Sequence, residues 1–138
     1  MLEFKIENVA FCENARPEIG GKFTLLGVTA PELNMSTIPS VISIAIWISG
    51  VPSAPGPFQA EIRALDTEQN PLIKAMLKGV VSGSGRSSIV IGPMPIAINA
   101  VGNYTFEWKF EELDWAKIGF LEIKLDQNHP NVIPSSTA

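Results

Sequence analysis

The residue types that do chemistry are sparse in this chain. It has one histidine, His129, and one cysteine, Cys12. A catalytic triad or a zinc site needs a histidine whose partners the fold holds in place. His129 stands before Pro130 in a stretch without pattern, and the expectation is a solvated side chain. A catalytic thiol needs a base or a helix N-terminus to lower its pKa. Cys12 ends an apolar segment with no histidine near it in sequence, so a buried structural cysteine is expected. The carboxylates group as Glu3 with Glu7, Asp66 with Glu68, and Glu111-Glu112 with Asp114. Glycoside hydrolysis or calcium binding needs carboxylates converging in a cleft. These sit in turns or on an alternating strand, and none has calcium-loop spacing. The Gly/Ser-rich run from Gly79 to Ser88 lacks the Gly-Lys-Ser/Thr ending of a phosphate loop, and no helical pattern follows it. The expectation is a protein that is not an enzyme, with no catalytic, cofactor-binding or metal-ligating residue.

The aromatic residues offer binding chemistry instead. Tyr104, Phe106, Trp108 and Phe110 alternate with Asn103, Thr105, Glu107 and Lys109, so they share one strand face. Aromatic rings on a sheet can stack bases or sugars, or anchor a protein partner. The plainer reading of this set is a sandwich core. Tyr104, in Gly102-Asn103-Tyr104, is expected to bond a loop backbone through its hydroxyl, in the manner of a tyrosine corner. Trp47 and Trp115 lie outside the set and are the candidate partner or ligand contacts. A ring open to solvent beside a cleft would favour a ligand, and burial of both would favour assembly.

The scaffold that holds these side chains is built of strands. With 138 residues the chain fits one domain and buries roughly two-thirds of its unfolded surface without a staple. Hydrophobic residues make up 46% and charged residues 17%, which excludes disorder. The net charge of −4 and the scattered lysines and arginines exclude a nucleic-acid footprint. No apolar run approaches the ~20 residues of a membrane helix, and the first residues lack a signal-peptide pattern, so a cytoplasmic location is expected.

Period-two alternation runs the length of the chain. Leu2, Phe4 and Ile6 share one parity, then Val9 and Phe11 take the other, which predicts a β-bulge near Glu7-Asn8. Residues 13–21 read as a connector, 22–29 as a strand with a bulge or close approach at Gly27, and 31–39 as a proline loop. Residues 41–49 are apolar on both faces and predict a central, doubly covered strand. Strands follow at 58–64 and, by charge separation, at 72–81, where a helical face is the alternative. Residues 88–98 divide into two short pieces at Gly92, Pro93 and Pro95; 104–110 and 118–126 complete the set, joined by a turn with room for one helical turn. The expectation is an all-β antiparallel sandwich of about eight strands over residues 1–128, with a loose tail over 129–138.

Two segments carry a resemblance. Cys12 with Gly20-Gly21-Lys22-Phe23-Thr24-Leu25-Leu26-Gly27-Val28, and Gly102-Asn103-Tyr104-Thr105-Phe106 with Leu121-Glu122-Ile123, resemble a family of small bacterial proteins known only as a conserved domain of unknown function. The resemblance spans about residues 6–126, and departs from the family in the proline-rich stretches at 50–57 and 93–95. It implies an immunoglobulin-like sandwich and no assigned activity. Low charge and proline-rich loops then point to a non-catalytic interaction or assembly module of a bacterial or phage-derived system, with a protein partner or self-association. Small-ligand or carbohydrate binding through Trp47 and Trp115 is the alternative.

Overall fold

The computed structural model describes residues 2–20, 22–29, 31–81 and 85–126. Among them it is all β. In chain order the strands are β1 (Phe4–Cys12), β2 (Asn14–Pro17), β3 (Phe23–Leu26), β4 (Glu32–Met35), β5 (Ser40–Pro52), β6 (Gly56–Leu65), β7 (Pro71–Val81), β8 (Ser87–Ile98), β9 (Gly102–Phe110) and β10 (Ala116–Leu125). One sheet runs β1-β5-β8 and the other β4-β10-β9-β6-β7, while β2 and β3 form a hairpin of their own. The two large sheets pack as an immunoglobulin-like β-sandwich.

Alternation decides the core. Ile44, Ile46 and Ile48 of β5 face Phe58, Ala60, Ile62 and Ala64 of β6 and Tyr104, Phe106, Trp108 and Phe110 of β9, all buried in one cluster. Phe58 stacks on Phe110 at 5.3 Å between centroids, and Phe11 lies 4.9 Å from Phe106. The aromatic face of β9 is therefore core, as its pattern predicts. The bulge falls where the phase of β1 switches: pairing with β5 slips between Ile6 and Asn8, which keeps Phe4, Ile6, Val9 and Phe11 all turned inward. The Tyr104 hydroxyl accepts from the amides of Asn99 and Ala100, both at 3.2 Å, and donates to the Ala100 carbonyl at 2.8 Å. That is a tyrosine corner, and it ties β8 to β9.

Several expectations need correction. There are ten strands among the described residues rather than about eight. The proline loop at 31–39 contains β4, which pairs in parallel with β10 from Glu122↔Glu32 to Leu125↔Met35, so the sandwich is not wholly antiparallel. The connector at 13–21 contains β2, paired to β3. Residues 88–98 are one strand, which keeps its pairing to β5 across a register shift opposite Ala45. The turn before β10 holds no helix among the described residues. Residues 72–81 are strand, as charge separation favours. The 129–138 tail, with His129, lies outside the described residues.

The candidate interaction surface

The two candidate tryptophans sit on opposite outsides of the sandwich. Trp47 alternates with the buried Ile46 and Ile48, so it faces outward from β5. There it lines a cleft of about 420 Å³ with Lys22, Phe23, Leu25 and Ser88. The β2–β3 hairpin covers this face. Cys12 and Ala45 are paired across β1 and β5 and fully buried, yet they stand apart from the inner core cluster. They fill a second, smaller layer on the outer face. Burial pushes the Cys12 thiol pKa up, and a backbone hydrogen bond at Asn14 opposes the shift. A raised pKa is the reverse of what a nucleophilic thiol needs. The Trp47 indole nitrogen is sealed from solvent without a hydrogen-bond partner among the described residues. Gly27 has φ +65°, a left-handed conformation that favours glycine, where the chain leaves β3.

Trp115 lies against the outer face of the other sheet. The Arg63 guanidinium sits 4.1 Å from its ring centroid and the Lys74 ammonium 5.7 Å. Arg63 is held by Glu107, at 2.7 Å, on the neighbouring strand β9. Trp115 is half-buried here, its ring occupied by cations of its own chain. The structure does not bring Trp47 and Trp115 together, and neither is fully buried or fully open. The acidic groups disperse as well: no three His, Cys, Asp or Glu residues cluster among the described residues. Asp66 instead accepts from the amides of Glu68 and Asn70, closing the β6–β7 turn.

The sheet edges carry the more informative geometry. Among the described residues the two large sheets have four, β1, β8, β4 and β7. Exposed edges invite pairing with other chains, and proteins blunt them with bulges, prolines, short strands or charge. Three are blunted. β1 carries its bulge, and its Phe11 carbonyl accepts from the Thr29 amide at 2.8 Å. β4 is four residues long. β8 contains Gly92, Pro93 and Pro95. β7 is eleven residues long and pairs with β6 without a slip from Gly56↔Val81 to Ala64↔Ile73.

Backbone direction along β7 follows from its neighbour. Gln59 of β6 donates its amide to the Glu111 carboxylate and accepts from the Glu111 amide, at 2.8 and 2.7 Å, so its backbone points away from β7. Alternation then turns Phe58, Ala60, Ile62 and Ala64 toward β7. Their partners Gly79, Leu77, Ala75 and Ile73 bond back to β6. The amides and carbonyls of Lys74, Met76, Lys78 and Val80 point to the open edge. No strand pairs with them among the described residues. The side chains of these four residues share the outer face, where Met76 is 56% and Val80 72% exposed. On the inner face Ile73, Ala75 and Leu77 touch the core but are only half-buried, because among the described residues no strand lies beyond β7 in its sheet. Sequence reasoning found β7 but not its place in the sheet, which depends on pairings far apart in the chain.

No family model matches the chain, and no curated protein matches it. Among solved structures it is similar to a beta-glucosidase from Listeria innocua in complex with gluconolactone, with a TM-score of 0.46 and 10% identity over 90% of this chain. The same enzyme without a ligand named matches at 0.45 and 11%, and its D270A mutant with laminaribiose at 0.45 and 10%. The chain spans 16% of the length of that enzyme. Likeness at this level carries no argument about activity. No helix among the described residues is long and apolar enough to cross a membrane.

Proposed function

We propose that this domain is a non-catalytic protein-interaction module, and that it binds by accepting an extended segment as an added strand along β7. The observation that carries the reading is the open edge of β7: four consecutive edge-facing residues, Lys74, Met76, Lys78 and Val80, in an unbroken strand whose inner face is half-covered. Strand addition satisfies main-chain groups that otherwise bond only water, and alternate side chains supply selectivity. An added strand also covers Ile73, Ala75 and Leu77, so apolar burial and hydrogen bonding act together. The incoming segment belongs to another protein or to a second copy of this chain.

The test is selection of binders from a displayed library of ten-residue extended peptides, followed by amide chemical-shift mapping. The expected result is perturbation centred on Lys74, Met76, Lys78 and Val80, with binding lost in Met76→Pro. That substitution removes an edge-facing donor and leaves the β6 ladder intact. Binders that perturb only the cleft around Trp47, Lys22 and Phe23 would move the function to ligand capture there. Binding unchanged by Met76→Pro contradicts strand addition.

A further inference from the structure

The edge also states what kind of strand it accepts, if the preceding reading holds. In an antiparallel addition, edge-facing residues of one strand oppose edge-facing residues of the other, and opposed side chains share a face. The partner's residues opposite Lys74, Met76, Lys78 and Val80 therefore stand on the outer face beside them. Lys78 has no acidic partner among the described residues, and Lys74 pairs with Glu61 at 3.5 Å and lies 5.7 Å from the Trp115 ring centroid, with its side chain still 60% exposed. Two cations spaced by four residues alternate with two exposed apolar side chains.

We infer that β7 is a receiver for an acidic-apolar alternating segment of another protein. Read from its N-terminus, that segment places an apolar residue opposite Val80, an Asp or Glu opposite Lys78, an apolar residue opposite Met76 and a second Asp or Glu opposite Lys74. The positions between them face Gly79, Leu77 and Ala75 at the rim of the core and are apolar. Gly79 has a particular place in this arrangement, since a Cβ there would meet the Phe58 ring at 3.0 Å. The bare backbone at 79 leaves the partner's residue room beside that ring.

A second copy of the chain is a poor occupant. Antiparallel pairing of β7 with itself brings Lys74 and Lys78 of both strands onto one outer face, four ammonium groups on adjacent strands. Like charges facing one another across a ladder are destabilising. A segment with acids at these positions replaces that repulsion with two cross-strand ion pairs. Exposed pairs are individually weak, so the charge pattern selects among partners while backbone pairing and apolar burial hold them.

The experiment compares three fluorescein-labelled ten-residue peptides of one apolar pattern, carrying Glu, Thr or Lys at the two positions opposite Lys74 and Lys78. Binding to the full chain is followed by anisotropy, and edge amides by chemical shift. The inference expects the Glu peptide to bind about tenfold more tightly than the Lys peptide, with Thr between and the spread shrinking as salt rises. Lys74→Glu with Lys78→Glu is expected to reverse the order. Both lysines are exposed and exposed ion pairs contribute little, so that variant is expected to keep the fold, which its amide spectrum checks. Equal binding of all three peptides, with shifts at the edge that Met76→Pro removes, overturns the charge code and leaves strand addition standing. No shift at the edge with any peptide overturns both. A dimer of the unliganded chain that Met76→Pro dissolves overturns the choice of another protein as occupant.

Discussion

β7 and β8 are edges of opposite sheets that meet along the same side of the sandwich, and they are built in opposite ways. β8 is twelve residues long and is interrupted by Gly92, Pro93 and Pro95. A proline in a paired strand is tolerated where its nitrogen faces away from the partner, and there it removes a donor from the open edge. Just past its C-terminal end β8 is anchored by the Tyr104 corner at Asn99 and Ala100. β7 has no proline beyond its first residue, no bulge in its outer half and no corner. Its only blunting features are Lys74 and Lys78. The chain closes one edge with backbone chemistry and marks the other, over residues 73–80, only with the charges of Lys74 and Lys78.

Substitutions along the two strands and at the residues that anchor them test that contrast. The largest effect is expected from Ala75→Pro. Its amide bonds to β6, so the substitution leaves a ladder carbonyl without its donor and costs about 2–3 kcal/mol in urea unfolding. Met76→Pro, one residue on, is expected to cost less than about 1 kcal/mol because its amide faces the open edge. Equal costs for the two would show that the backbone direction assigned to β7 is wrong. Next comes Tyr104→Phe, which removes the hydroxyl that three backbone groups use; a loss of about 1.5 kcal/mol is expected in the same assay.

A smaller effect comes from unblunting β8. Replacing Pro93 and Pro95 together by threonine restores two amides. Association detectable by light scattering at high concentration is expected, and a strictly monomeric variant would argue against the role given to these prolines. The smallest effect concerns Cys12. Burial raises its pKa in the folded chain, so the folded state holds the thiol proton more firmly than the unfolded state does. The resulting stability is present below the unfolded thiol value and is lost as pH rises through the raised folded one. Unfolding midpoints should decline in the alkaline range, and Cys12→Ala should remove that part of the decline.

Much of the fold is legible in the sequence because alternation is local. The inward set of β9, the bulge at Glu7-Asn8 and the tyrosine corner all follow from residues within a few positions of one another. β4 is not legible. Glu32-Leu33-Asn34-Met35 is too short to show a period, lies between prolines, and becomes a strand only because β10, about ninety residues later, offers its edge. β2 is lost for a similar reason, since its pairing with β3 closes over a glycine turn with few apolar residues to mark it. The candidate site shows the same division. Aromatic residues drew attention to Trp47 and Trp115, but the structure separates them onto two outer faces and fills the Trp115 ring with Arg63. The open edge of β7 leaves no mark in composition, because an edge is a property of what does not pair. The signal that was available is the spacing of Lys74 and Lys78 on one parity of an otherwise apolar strand.

Amide hydrogen exchange along β7, read residue by residue by NMR, reports on the open edge itself and needs no partner. The open edge predicts alternation: slow exchange at Ile73, Ala75, Leu77 and Gly79, which bond to β6, and fast exchange at Lys74, Met76, Lys78 and Val80. Uniform protection of all eight amides would mean that the edge is already covered in solution and that β7 is not open to an added strand.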